Sequence, residues 1–287
     1  MDGEMMEKYI DLHTHSICSD GSLPPAGVVR EAKKAGLAAI ALTDHDTVAG
    51  VEEAMEEGKK LGIEVIPAIE FSVSCATQNH ILGYYIDINN PELKNAMEKL
   101  FEMREYRVHK TCSLLNEHGF DVTVDEVREL APGGIVGRAH YAKLLVNKGL
   151  IGSVKEAFDL YLGSGKPCFC GDQHMTAEQA VELIHKCGGL SFEAHLHQMN
   201  LPDDETEKFL IHLKKYGLDG VEGYHSEYTP EMQEKYQQMA MRNGLMLSGG
   251  TDYHAAMKPH ISIGTGTGNM KIPYSVLEKI KEAKELM

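Results

Sequence analysis

The chain has 287 residues, 43% hydrophobic and 25% charged, enough for one large α/β domain or a domain carrying an insertion. A formal net charge of −15 argues against broad attraction to long nucleic acid or to an anionic membrane surface. No apolar run approaches the ~20 residues that span a bilayer, and the acidic start MDGEMMEKY lacks a secretory core, so a cytoplasmic protein is expected.

YIDL, residues 9–12, reads as a strand that runs into His13, Thr14 and His15, with Asp20 on the turn beyond. Ser22 before Pro24-Pro25 marks a helix start, and Gly36 its end. Leu37–Thr43 is a second strand, followed by Asp44, His45 and Asp46 and then a helix over Val48–Leu61. Ile63–Ile69 is a third strand and ends at Glu70; His80 precedes the apolar run ILGYY. The rhythm then breaks. A charged helix over Glu92–His118 leads to an irregular piece and to helices over Arg138–Lys148 and Val154–Leu162, punctuated by Pro132-Gly133-Gly134 and by GSGKP at 163–167. Alternation resumes with helix Ala177–Cys187 before LSFEAH, Glu205–Tyr216 before GVEGY, and Pro230–Asn243 before LMLSGG. Such alternation predicts a parallel sheet, open or closed into a barrel, with the strand-poor stretch as a helical insertion. Six cysteines include no CxxC pair, and Cys168 and Cys170 around Phe169 fit alternation on a strand.

The polar residues fall where strands end. His13 with His15, the cluster at 44–46, Glu70, His195, and Asp252 with His254 all follow apolar runs, and in a parallel barrel those ends share one face. Buried charged and imidazole groups need partners, and a common metal supplies them. Strand side chains alternate, so residues i and i+2 lie on one face about 6.5 Å apart, close enough for His13 and His15 to hold one cation. Asp252 and His254 repeat the spacing. Mixed nitrogen and oxygen donors suit manganese first, and iron, zinc or cobalt, better than an all-oxygen magnesium site.

HTHSICSDGS at 13–22, TDHDT at 43–47, IPAIEFS at 66–72, HILGYYID at 80–87, AH at 194–195 and GGTDYH at 249–254 resemble, in order and spacing, the motifs of the PHP (polymerase and histidinol phosphatase) family. GRAHYAKLLVNKGLIGSVKEAFDLYLGSGKP in the insertion is similar to stand-alone phosphoesterases of that family, a branch that includes 3′,5′-nucleotide bisphosphate phosphatases and 5′→3′ oligoribonucleases. The resemblance implies an α/β fold, a distorted (β/α)7 barrel over residues 1–95 and 172–287, with a small helical insertion over 96–171 that caps the substrate. It implies two or three divalent metal ions: a first held by His13, His15, Glu70 and Asp252, a second by Glu70, His80 and His195, a third by Asp20, His45 and His254. Glu70 would bridge the first two. The expected chemistry is attack on phosphorus by a metal-bridging hydroxide, on a small phosphorylated nucleotide or sugar.

Arg138, opening a predicted helix with His140 close behind, fits a phosphate ligand, and the resemblance implies that this segment faces the barrel. After His195 the chain departs from the common AHPG pattern: Leu196 replaces proline, His197 is an extra imidazole, and Gln198 stands where many relatives carry arginine. His197 and His225 are candidates for substrate contact and for the leaving-group acid. The first-choice substrate is a nucleoside 3′,5′-bisphosphate, with short 5′-phosphorylated oligoribonucleotides next. The missing arginine keeps a phosphoribosyl cyclic phosphate open as an alternative, with histidinol phosphate, a non-catalytic metal-binding module and an amidohydrolase behind it. GTGTGN at 264–269 lacks the strand-to-helix context of a nucleotide-binding loop.

Overall fold

The structure is a computed structural model, described for residues 7–74, 79–131, 136–170, 175–268 and 270–287. It divides into two compact units, one of Met1–Asn95 with Met175–Met287, the other of Ala96–His174. Pro132-Gly133-Gly134 and the expected domain border at 171/172 lie outside the described residues.

The first unit opens with β1 (Tyr9–Thr14), α1 (Pro25–Lys34), β2 (Ala39–Leu42), α2 (Val51–Leu61), β3 (Glu64–Ser74) and β4 (His80–Tyr84). The chain then enters α3 (Pro91–Glu117), within which the division between the units falls. The second unit continues with α4 (Val124–Glu129), α5 (Arg138–Asn147) and α6 (Val154–Ala157), the last running into a π-helical turn over Phe158–Leu162. Leu115, Val127, Tyr141, Leu145 and Leu162 bury together as its core. Thr123 caps α4 reciprocally with Glu126, satisfying two end donors at once. Residues 168–170, expected on a strand, lie outside any strand, with Cys168 at the end of a turn. Phe169 N donates to Lys166 O, and this local bond replaces a ladder partner.

Back in the first unit come β5 (Met175–Thr176), α7 (Ala177–Lys186), β6 (Leu190–Glu193), α8 (Asp203–Lys214), β7 (Gly220–His225), α9 (Pro230–Arg242), β8 (Met246–Gly250), β9 (Ile272–Pro273) and α10 (Ser275–Glu285). The sheet order is β8-β7-β6-β4-β3-β2-β1-β9, with β5 beside β3. Leaving out the two-residue β5 and β9, seven strands remain, and β8 and β1 bring their ends together. His15 N donates to Tyr253 O at 2.9 Å, and a Cβ added to Gly250 would sit 2.3 Å from His13 N. Only glycine permits that approach, so the sheet nearly closes into a distorted (β/α)7 barrel.

The sheet is not all parallel. β4 runs antiparallel to both β3 and β6, which no strand-helix alternation could announce. The barrel interior is filled by Ile10, Leu12, Ala41, Ile66, Leu82 and Phe192, with Val276, Leu277 and Ile280 of α10 packed against them. Each fully buried Ile, Leu or Phe contributes about 1.5–3 kcal/mol. A second layer of Val28, Val29, Ile40, Leu42 and Ala54 seats α1 and α2 on the outer face. Among the described residues no helix is long and apolar enough to cross a membrane.

Candidate metal centre

Glu70 is the hub. Expected at a strand end, it lies inside β3, because the strand continues past the end of β2 and pairs onward with the returning β4, Glu70 opposite Leu82. Its side chain is fully buried, and its two oxygens face two sets of imidazoles. Oε2 lies 3.2 Å from each of His13 Nε2, His15 Nε2 and His45 Nδ1. Oε1 lies 2.8 Å from His80 Nδ1 and 3.0 Å from His195 Nε2.

The other ligand candidates surround it. The ladder of β1 slips between Asp11 and Thr14, and His13 within the slip and His15 beyond it turn to Glu70. His80 comes from the first residue of β4, which the antiparallel return places opposite Ser72. His195 follows β6 with φ +23°, and Asp252 follows β8 with φ +56°, a costly conformation for each non-glycine residue. Asp252 Oδ1 lies 3.3 Å from His15 Nε2, 3.4 Å from His254 Nδ1 and 3.6 Å from His13 Nε2. Asp20 is half exposed; its Oδ1 is 3.0 Å from His254 Nε2 and 3.6 Å from His15 Nδ1, and its Oδ2 is 3.8 Å from His45 Nε2. Donor atoms of His15, Asp20, His45 and His254 lie within 4.8 Å of one another, as do those of His13, His15 and Glu70, and of His45, Glu70 and His80. His45 thus touches both the Glu70 and the Asp20 ends of the cluster.

The charges fit a cation better than protons. Burial alone would neutralise Glu70 and Asp252, yet the surrounding imidazoles hold both well below the usual carboxylate range. Burial disfavours a proton on His15, but the nearby carboxylates of Asp252, Glu70 and Asp20 push it up to about 10. His45 goes the other way, to about 4, because burial and the neighbouring His15 and His80 outweigh Glu70 and Asp20. His15 Nε2 and His45 Nδ1 are buried with no hydrogen bond of acceptable geometry, although both stand beside the Glu70 carboxylate. Ring nitrogens stranded beside a buried carboxylate suit a divalent ion.

Supports missed in the sequence hold these rings. Glu222, fully buried within β7, takes His13 Nδ1 at 2.9 Å and accepts the His195 backbone N–H at 2.6 Å. A carboxylate in the middle of the apolar GVEGY run was the available signal. A slip of the β7 ladder between Glu222 and Tyr224 lets both Glu222 and His225 approach the cluster although they are three apart. Of the 44–46 triplet His45 reaches the cluster directly. Asp44 accepts from Ser16 N at 2.8 Å and from the Ser16 and Ser19 hydroxyls at 2.6 Å, bracing the turn that carries Asp20. Asp46 accepts from Ser72 N at 2.9 Å.

The candidate substrate residues fall in two places. His197, His225 and Glu227 form a further group of close donor atoms in the barrel unit. His197 Nε2 is 3.2 Å from Glu227 Oε2, and His225 is buried with Nε2 3.9 Å from Asp252 Oδ2. Burial lowers both rings, and despite Glu222 and Asp252 it brings His225 to about 4, so near neutral pH they act as neutral hydrogen-bond partners. Arg138 and His140 belong to the second unit. Arg138 stacks over the rings of Phe169 at 5.3 Å and Phe158 at 6.0 Å, and Gly137 N donates to His140 Nδ1 at 3.0 Å.

Imidazoles and carboxylates crowded at one end of a barrel of seven strands define a metal-dependent hydrolase. The PHP domain family matches residues 11–257, and the chain belongs to it. It is 34% identical over 250 residues to a 5′-3′ exoribonuclease of Haemophilus influenzae, covering 87% of this chain and 91% of that one. It is 32% identical over 248 residues to a 3′,5′-nucleoside bisphosphate phosphatase of Chromobacterium violaceum, covering 86% and 87%. A solved structure from Chromobacterium violaceum, described as an amidohydrolase with bound sulfate and no metal, superposes with TM-score 0.80 at 29% identity over 96% of each chain.

Proposed function

We propose that this phosphoesterase removes phosphate from small phosphorylated nucleotides, the 3′-phosphate of a nucleoside 3′,5′-bisphosphate first and the 5′ end of short oligoribonucleotides next. The observation that carries the reading is Glu70, whose two carboxylate oxygens face separate imidazole sets. In this reading His13, His15, Glu70 and Asp252 hold one cation, Glu70, His80 and His195 a second, and Asp20, His45 and His254 a third, with manganese the first choice. Bound divalent ions would neutralise phosphoryl oxygens and lower the pKa of water.

The residues of the chain do the rest. Glu70 keeps its charge in a dry site, and Glu222 fixes the His13 ring with Nε2 turned inward. Asp44 and its serines hold the Asp20 turn in place. The two relatives described as acting on nucleotides or RNA support the substrate class. Helices of the second unit, with Arg138 and His140, are proposed to cover the substrate. Glu70→Ala and Asp252→Ala should each abolish phosphate release while leaving a folded chain. Near-wild-type turnover in either variant with manganese present would overturn the assignment.

A further inference from the structure

We propose that Lys258 Nζ and the Nε2–H of His225 form an anion subsite beside Asp252 that grips a phosphoryl oxygen of the substrate. The inference rests on the phosphoesterase reading above and adds residues to it.

Asp252 is two-sided. Its Oδ1 faces His13, His15 and His254, whereas its Oδ2 takes Lys258 Nζ at 2.5 Å and lies 3.9 Å from His225 Nε2. A short 3-10 turn over Ala255–Met257, directly after His254, delivers the lysine. Lys258 thereby brings an ammonium into ion-pair contact with the cluster of candidate ligands. An ammonium has three N–H donors, and Asp252 occupies one.

His225 supplies a second donor by a different route. The Glu227 backbone N–H donates to its Nδ1 at 3.2 Å, which places the ring proton of the neutral imidazole on Nε2. That buried Nε2 has no hydrogen-bond partner. An unsatisfied buried donor and a cation with spare donors therefore converge on one carboxylate oxygen at the edge of the centre. A tetrahedral dianion would satisfy both, whereas water offers no charge to the lysine. The subsite also provides a cation in a chain that carries Gln198 where many relatives have arginine.

The test is calorimetric titration of inorganic phosphate into manganese-loaded protein, with metal content counted on the same samples. Lys258→Met should weaken phosphate binding roughly 10- to 100-fold with metal content unchanged, and Lys258→Arg should recover part of it. Unchanged phosphate affinity in Lys258→Met would overturn the proposal. So would loss of metal along with phosphate, since Lys258 would then serve only to brace Asp252. Wild-type protein that binds phosphate yet hydrolyses no phosphoester would refute the proposed function and leave the subsite standing.

Discussion

Replacing Glu222 tests whether the rings are held from behind. The side chain accepts from two buried donors, the His13 ring at 2.9 Å and the His195 backbone N–H at 2.6 Å. Glu222→Ala strands both. At ~1–3 kcal/mol for each unsatisfied buried donor, the metal-free protein should lose about 2–6 kcal/mol. Glu222→Gln keeps the shape but offers one acceptor oxygen and turns an N–H toward the other donor, so it should lose about half as much. The second bond also steadies His195 at its unfavourable φ of +23°. Manganese affinity should therefore fall ~10- to 100-fold in Glu222→Gln, the range for losing a partner that orients a ligand. Urea unfolding of the metal-free protein and competition with a fluorescent chelator read the two effects separately. A Gln variant with wild-type midpoint and wild-type affinity would refute the reasoning.

Asp20→Ala should lower bound manganese by about one equivalent and leave the Glu70-centred sites loaded, as mass spectrometry of metal content would register; a proportional loss at every site contradicts a separate third site. Gly250→Ala forces a Cβ to within 2.3 Å of His13 N and Cβ, and should lower the melting temperature through a strain of ~1–3 kcal/mol or more. An unchanged melting curve would mean that the seam between β8 and β1 is looser than described. His185 Nε2 lies 3.0 Å from Asp219 Oδ2, and this bond raises its proton affinity above the ordinary 6.5 although burial opposes it. The folded state then holds the proton more tightly, so the contribution is complete below the unfolded value and fades as pH rises through the folded one. The stability difference between wild type and His185→Gln should be larger near pH 6 than near pH 9 in urea titrations, and a flat difference would count against it.

Much of the centre was legible because strand periodicity is short-ranged. His13 near the end of β1, and His15, His45, His195, Asp252 and His254 beyond strands that the apolar runs marked, are brought together by the structure. His80 and Glu70 were harder, for one reason: the antiparallel return of β4 depends on tertiary pairing, and it sets Glu70 inside a strand and His80 at the start of one. The family resemblance carried His80; Glu70 was marked by its place after an apolar run, though at a strand end rather than inside the strand. Glu222 escaped because its partners, His13 and the His195 backbone, are remote in the chain, and because the ladder slip in β7 breaks the two-residue rule. The strand expected over 168–170 failed because alternation of two cysteines around a phenylalanine says nothing about whether a partner strand exists.

In the proposed function a Glu70-centred metal cluster hydrolyses small nucleotide phosphates. It is tested most directly by phosphate release from manganese-supplemented protein, screened over nucleoside 3′,5′-bisphosphates, 5′-phosphorylated dinucleotides, a phosphoribosyl cyclic phosphate and histidinol phosphate. Manganese-dependent release, greatest on the 3′,5′-bisphosphates and abolished by chelation, is the predicted result. Failure on every phosphoester, with metal bound, would contradict it.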